Sequence, residues 1–199
     1  MSYIIGNPIS GSALTVNVGT ILTVEPGVRV ELGNNSSLEV NGTVISQGTI
    51  SEPIIFTAYP GGIIYGNQAP WRRIYFSASS ANSKLENTIV SQGGYYFNYY
   101  QGSIWVKESV VEFENLSCIN NPNAICLHLE DSSSTVRNSS FEDNKIGLKI
   151  QGNAIPILEN NQFANDAECD IYWPGGGDNC QAIATNTPSL TVECGCCPY

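Results

Sequence analysis

Positively charged side chains are scarce in this chain of 199 residues, which has 8 Lys and Arg against 18 Asp and Glu. The formal net charge of -10 repels phosphate backbones, so we expect no nucleic-acid partner. His128 is the one histidine in the sequence, which excludes a zinc site built from several histidines. GxSxG, P-loop and dinucleotide motifs of the usual enzymes are also missing.

Long apolar runs are missing as well. No run approaches the roughly 20 residues that cross a bilayer, so we expect no membrane insertion. The first residues, MSYIIGNPISGSAL, lack the basic region and the continuous apolar core of a signal peptide. We therefore expect a soluble chain from which any export signal has been removed.

Cysteine is abundant, and most of the seven cysteines lie from Cys169 onward. This density predicts disulfide bonds at the C-terminal end and an extracellular or cell-surface location. Cys169 and Cys180 are a candidate pair, and the odd count leaves a thiol that could crosslink two chains. A metal site at Cys194, Cys196 and Cys197 is the alternative, although these residues lack the usual CxxC spacing of zinc ligands. No metal site is predicted from the residues.

An internal repeat of about 22 residues organises the chain. Asparagines recur in one frame, at Asn87, Asn115, Asn138 and Asn160, and the last three are each about one repeat apart. Short β-branched runs lie between them, and nothing reads as a long helix. The copies of the frame are LENTIVSQG (85–93), FENLSCINN (113–121), VRNSSFEDN (136–144) and LENNQFAND (158–166).

This repeat predicts an all-β fold, a right-handed parallel β-helix of about seven coils. We assign residues 1–19 to an N-terminal cap and 20–175 to the β-helix, with a loop insertion at 93–105. Residues 176–199 form a Cys-rich cap or tail. A β-sandwich or jelly roll also has many short strands, but it does not predict an asparagine in one frame.

The four asparagines are predicted to point inward and to form a ladder. Each side-chain amide can donate to one neighbouring coil and accept from the other, which satisfies a buried amide. Asn87, Asn115, Asn138 and Asn160 are therefore interpreted as structural residues that set the register. For this reason we expect no glycan on the sequons at Asn115 and Asn138.

The segments ILTVEPGVRVELGNNSSLEVNGTVISQGTISEPIIFTA, WRRIYFS and KLENTIVSQGG, with the asparagine frame, resemble the right-handed parallel β-helix superfamily of the pectate lyases. The resemblance implies the fold and leaves function open, because this architecture serves enzymes, adhesins and fibres. Pectate-lyase-type sites combine an arginine with carboxylates that hold Ca²⁺. The chain shows no such carboxylate cluster, so we predict no cofactor and leave only Ca²⁺ open.

An aromatic segment, GGYYFNYYQGSIW (93–105), interrupts the repeat. Such rings can stack on sugars, or they can pack against the coils as a small core. The predicted ligand-binding residues are Tyr95, Tyr96, Tyr99, Tyr100 and Trp105.

Two outward columns follow from the repeat. Lys107, His128 and Lys149 recur at equal spacings and form a basic column. A second column contains Glu86, Glu114, Arg137 and Glu159. Both fit a solvated face with balanced charges, and a groove with Lys and His would also suit proton abstraction from a uronate.

We therefore predict a secreted or cell-surface binding or structural module that recognises a glycan or a surface or matrix component. The alternative is a lyase or glycoside hydrolase acting on an acidic polysaccharide, with His128, Lys149 and Lys107 as catalytic candidates. Open coils at the ends expose strand edges, which also favour end-to-end self-association.

Overall fold

The computed structural model describes residues 1–6, 11–60, 71–80, 82–94 and 102–173. Within these ranges, eighteen strands follow one another. Every pair of neighbouring strands is parallel, and the strands return to the same three faces in a fixed order. The prediction of an all-β parallel β-solenoid is confirmed, with about six turns, close to the predicted number.

Each turn contributes a strand to each of three faces. Face 1 contains β3 (Ile21–Val24), β6 (Thr43–Gln47), the first part of β9 (Ser83–Ser91), the first part of β11 (Val111–Ile119), β13 (Thr135–Arg137) and β16 (Ile157–Glu159). Face 2 contains β1 (Ser2–Ile5), β4 (Arg29–Leu32), β7 (Ile54–Ala58), the remainder of β9 and β11, β14 (Ser140–Glu142) and β17 (Gln162–Ala164). Face 3 contains β2 (Ala13–Val16), β5 (Ser37–Val40), β8 (Arg73–Phe76), β10 (Gly102–Lys107), β12 (Ile125–Glu130), β15 (Ile146–Gln151) and β18 (Cys169–Tyr172).

The core consists of apolar columns that run through successive turns. On face 3, Ile74, Ile104, Leu127, Leu148 and Ile171 pair in sequence and are almost fully buried. On face 2, the rings of Phe141 and Phe163 stack with centroids 4.7 Å apart. Each fully buried side chain of this kind contributes about 1.5–3 kcal/mol. The alternating apolar residues of the sequence therefore hold the faces together.

Bends between the faces are made by residues with positive φ. Asn87 and Asn115 interrupt β9 and β11 at φ values of 46° and 52°, so each strand serves face 1 before the bend and face 2 after it. Asn138 and Asn160 adopt the same conformation between the shorter strands of later turns. Asparagine tolerates this left-handed region better than most residues, which explains its recurrence in the sequence.

The ends and the insertion are described in part. Within the predicted cap at 1–19, β1 pairs with β4 and β2 pairs with β5, so this segment supplies strands to faces 2 and 3. β10 begins at Gly102, inside the predicted insertion at 93–105. The predicted C-terminal cap at 176–199 lies outside the described residues. Across the described residues, no helix is long and apolar enough to cross a membrane.

A buried disulfide joins Cys118 at the end of β11 to Cys126 at the start of β12, with Cα atoms 6.1 Å apart. Both side chains are fully buried in the core. Cys169 is also disulfide-bonded. Its predicted partner, Cys180, lies outside the described residues.

Candidate functional site

The outer surface of face 3 carries a column of aromatic and charged side chains. Strand pairing aligns Trp105 with His128, His128 with Lys149, and Lys149 with Tyr172. In the other direction Trp105 aligns with Tyr75. The column therefore holds three aromatic residues, a histidine and a lysine on neighbouring strands.

Lys107 does not belong to this column, so its predicted alignment with His128 and Lys149 is wrong. Lys107 pairs with Glu130, and Glu130 pairs with Gln151. The prediction assumed turns of equal length, whereas the turn from β10 to β12 is longer than the next one and brings Trp105 opposite His128. Lys107 nevertheless lies on the same face, at the end of β10.

Trp105 is enclosed by rings and a guanidinium. The imidazole of His128 stacks on the indole with a centroid distance of 5.7 Å and an angle of 6°. On the strand at the other side, the Tyr75 ring lies 4.9 Å away at 50°, and the Arg73 guanidinium carbon lies 5.0 Å from the indole centroid. Both faces of the indole therefore contact neighbouring turns, and Trp105 as a whole is half-buried.

Ion pairs and a hydrogen bond to a carboxylate hold these rings in position. Glu130 accepts a hydrogen bond from the Trp105 indole N–H at 3.1 Å, and its other carboxylate oxygen lies 2.9 Å from Lys107 Nζ. Arg73 lies 4.6 Å above the Tyr75 ring and forms an ion pair with Glu39 at 3.3 Å. We call Arg73, Tyr75, Trp105, Lys107 and Glu130 the Trp105 patch. Its polar groups are held in position before any ligand arrives, which limits the entropy lost on binding.

Burial and neighbouring charges shift the pKa values on this face. The hydrogen bond and charge of Glu130 raise the pKa of Lys107, which stays protonated at neutral pH. Burial lowers the pKa of Arg73 and outweighs the opposing effect of Glu39. Burial also lowers the pKa of Lys149, partly offset by Glu130. Burial raises the pKa of Tyr75, so its hydroxyl remains a neutral hydrogen-bond donor.

The expectation that His128 and Lys149 line an open groove is wrong. His128 is 1% exposed and Lys149 is 4% exposed, although both lie on the outer side of the sheet. Ile125, Ile146 and Cys169 form with Tyr172 a second buried cluster, separate from the main core. The accessible part of the candidate site is therefore the Trp105 patch, on β8, β10 and β12.

The predicted aromatic residues Tyr95, Tyr96, Tyr99 and Tyr100 lie outside the described residues. Their segment joins the solenoid beside the Trp105 patch. At one end the Gly94 N–H donates to the carbonyl of Arg72, which precedes Arg73. At the other end Gly102 packs against His128, because a Cβ on this glycine would lie 3.2 Å from the His128 Cβ.

The asparagines of the repeat point outward, so the prediction of an inward ladder at these positions is wrong. Asn115, Asn138 and Asn160 are exposed and Asn87 is half-buried. Hydrogen bonds of 3.3 Å join Asn115 to Asn87 and Asn160 to Asn138, whereas Asn138 donates to Glu114 instead of Asn115. Exposure removes our reason for expecting no glycan at Asn115 and Asn138.

An inward amide ladder exists at the bend between faces 2 and 3. Asn121 and Asn144 are each 1% exposed, and Asn121 Nδ2 donates to Asn144 Oδ1 at 2.8 Å. Asn144 Nδ2 donates to the Cys118 carbonyl. Asp166, which lies in the next turn, accepts a hydrogen bond from the Asn144 backbone N–H through its Oδ1. The same frame contained this signal, because dipeptides of Asn and Asp recur one turn apart at Asn120–Asn121, Asp143–Asn144 and Asn165–Asp166.

The second predicted column is present on face 1. Glu86 pairs with Glu114, Glu114 with Arg137, and Arg137 with Glu159. Arg137 forms an ion pair with Glu159, and Lys84 contacts both Glu86 and Glu112. The charges are therefore largely compensated within the face, as a solvated surface requires.

A metal site built from His, Cys, Asp and Glu needs at least three of these side chains close together. Across the described ranges, no three of these residues converge on a point where they could hold an ion. The described residues therefore show no carboxylate cluster of the kind that the resemblance to pectate lyases implies for Ca²⁺.

Comparisons with known proteins give no relative for this chain: no protein-family model matches it, and neither the curated proteins nor the solved structures yield a match.

Proposed function

We propose that this chain is an extracellular or cell-surface binding module that recognises a glycan through the Trp105 patch. One observation carries the proposal: Arg73, Tyr75, Trp105, Lys107 and Glu130 hold one another in place on a rigid sheet. Planar polar groups at fixed positions suit the vicinal hydroxyl and carboxylate groups of sugars, because each can form paired hydrogen bonds.

Two further features support this proposal. The aromatic segment with Tyr95, Tyr96, Tyr99 and Tyr100 is joined to the solenoid beside the patch, through Gly94 and Gly102. Its rings are the candidates for stacking on a sugar, since the faces of Trp105 are already in contact with neighbouring turns. The disulfide bonds at Cys118, Cys126 and Cys169 support an oxidising location.

A glycan-array screen followed by calorimetry tests the proposal, with neutral and uronate-containing polysaccharides compared. We expect Glu130→Gln to weaken binding at least tenfold, because the amide keeps one acceptor oxygen, which cannot serve both Trp105 and Lys107, and loses the charge that pairs with Lys107. Arg73→Lys keeps the charge and removes the planar fork, so it distinguishes geometry from charge. Lys84→Met on face 1 is the matched control and should bind as the unmodified chain does. Equal affinity of the Glu130→Gln and unmodified chains would sink the proposal.

An enzymatic role has one observation in its favour. Burial lowers the pKa of Lys149, which is the direction that a proton-abstracting lysine needs. Lys149 is, however, 4% exposed, so a substrate would have to displace its surroundings to reach it. Incubation with pectin-like and neutral polysaccharides, with and without Ca²⁺, tests for unsaturated products and reducing ends. Turnover that disappears in Lys149→Met would favour a lyase related to the pectate lyases over a binding module.

A further inference from the structure

We propose that two copies of this chain associate end to end through the first turn of the solenoid, with β1, β2 and β3 of one copy against those of the other. This interface goes beyond glycan binding and uses a different part of the surface from the Trp105 patch.

The first turn leaves core positions open. Tyr3 and Leu14 occupy inward positions, since they pair with the buried Val30 and Leu38 of the next turn. Tyr3 is nevertheless 54% exposed and Leu14 is 43% exposed, against 6% and 0% for their partners. A cavity of about 390 Å³ opens between them and reaches Phe56. The end of the core is therefore accessible to another apolar surface.

Exposed apolar side chains are concentrated at this end. Of the large hydrophobic residues that are most exposed among the described residues, more than half come before Leu22 in the sequence. They are Met1, Tyr3, Ile4, Leu14, Val18 and Ile21. Tyr3 and Leu14 face the open end of the core, whereas Ile4 and Ile21 pair with the outward Glu31 and Thr43 and lie beside it.

The strand edges at this end carry no charged side chain that would prevent pairing. Within the described part of the chain, β1, β2 and β3 each pair with a single strand of the next turn, which leaves their other edges unpaired. Soluble proteins usually protect such edges with charged side chains. Here no Asp, Glu, Lys, Arg or His precedes Glu25 in the sequence. An apolar edge without charged side chains fits an interface better than a solvated end.

A second copy of the chain can pair with the free edges of β1, β2 and β3 at the same time. A two-fold axis perpendicular to the solenoid reverses the direction in which the chain winds, so facing strands become antiparallel. If the axis passes through face 3, β2 meets β2 of the other copy, and β1 and β3 exchange partners. Such an isologous contact places apolar residues against apolar residues and closes at two copies.

Sedimentation velocity and light scattering at rising concentration test this interface. We expect a mass of twice the 21.5 kDa chain, falling to 21.5 kDa on dilution. Leu14→Lys and Tyr3→Lys should each raise the dissociation constant at least tenfold. Ile155→Glu is the matched control, because Ile155 is 66% exposed on a late turn, and it should leave the dimer unchanged.

Hydrogen exchange gives a measurement that needs no variant. Amides of β1, β2 and β3 should gain protection as the concentration of the unmodified chain rises, while those of β13 and β16 should not. A mass that stays at 21.5 kDa at millimolar concentration overturns the proposal. Masses that grow beyond two copies also overturn it, since they indicate head-to-tail stacking. So does a dimer that Ile155→Glu disrupts as strongly as Leu14→Lys.

Discussion

Asn121 and Asn144 are joined by a hydrogen bond of 2.8 Å in the interior of the solenoid, one turn apart. Each amide has several partners: Asn121 also donates to the Ile119 carbonyl and accepts from the Gly93 N–H, and Asn144 also donates to the Cys118 carbonyl. A buried polar group is stabilising only when its hydrogen-bonding atoms are satisfied. These two residues therefore fix the register of two neighbouring turns.

Replacing Asn144 should therefore destabilise the fold strongly. Asn144→Leu keeps the approximate size and leaves the Cys118 carbonyl and one Asn121 N–H without their partner, at a cost of about 2–3 kcal/mol. Denaturant unfolding measures the loss. The matched control is Gln162→Leu, an exposed amide on β17, which should change stability by less than about 0.5 kcal/mol. Equal effects of the two substitutions would contradict the role of the inward ladder.

The repeat frame was sufficient to predict the fold but not the direction of its asparagines. Val136 points inward and Arg137 outward, so simple alternation places Asn138 inside. The left-handed conformation of Asn138 adds a second outward residue at the bend, and Ser139 takes the inward position instead. Like a bulge, such a bend shifts the alternation by one residue. Turns of unequal length misplaced Lys107 in a similar way.

Burial on the outer side of face 3 was also beyond prediction. Alternation tells on which side of a sheet His128 and Lys149 lie, but it does not tell whether that side is open to solvent. The sequence does not predict the disulfide between Cys118 and Cys126, because the repeat accommodates an apolar side chain at Cys118 equally well. Cys118 pairs with the apolar residues Val90 and Phe141 of the neighbouring turns, so packing in the core alone explains a cysteine at this position.

The outward asparagines should contribute to stability mainly because they tolerate a positive φ. Asn138 has a φ of 49°, which alanine adopts at a cost of about 1–2 kcal/mol, whereas glycine adopts it without strain. We expect Asn138→Ala to destabilise by roughly that amount and Asn138→Gly to cost clearly less. Thermal unfolding of the two variants gives the comparison. An inward hydrogen-bonding role would instead make both substitutions similarly costly, and that result would refute the assignment.

Removing the buried disulfide should destabilise the turn between β11 and β12. The Cys118–Cys126 bond closes a loop with a sequence separation of 8, for which the chain-entropy account gives about 2.5 kcal/mol. Cys118→Ala combined with Cys126→Ala should lose about that amount, plus a small cavity cost. Unfolding in the presence and absence of a reductant provides the measurement. A double variant as stable as the unmodified chain would show that this bond does not contribute.

Asp166 should make stability depend on pH. Burial raises its pKa to about 6, with Asp170 and Asp143 adding to the effect and hydrogen bonds from Asn144 opposing it. Its Oδ2 is buried and has no hydrogen-bond partner among the described residues. Because the unfolded carboxyl titrates near pH ~3.9, the folded state binds more protons between the two values. Stability should therefore fall as the pH rises through this window and stay reduced above it.

Asp166→Asn tests this sign directly. Asparagine occupies the equivalent position in the two preceding turns, at Asn121 and Asn144, so the amide suits the ladder. The substitution should stabilise the fold near neutral pH by about 1 kcal/mol, a value reduced for the partial exposure of the side chain. In Asp166→Asn, the denaturant midpoint should vary less between about pH 4 and about pH 8 than in the unmodified chain, because the titration of Asp166 no longer contributes. Glu142→Gln, which removes an exposed carboxylate of β14, should leave the slope between those pH values unchanged. If Asp166→Asn destabilises the chain at neutral pH, Asp166 is held by partners that favour its charged form and the predicted sign is wrong.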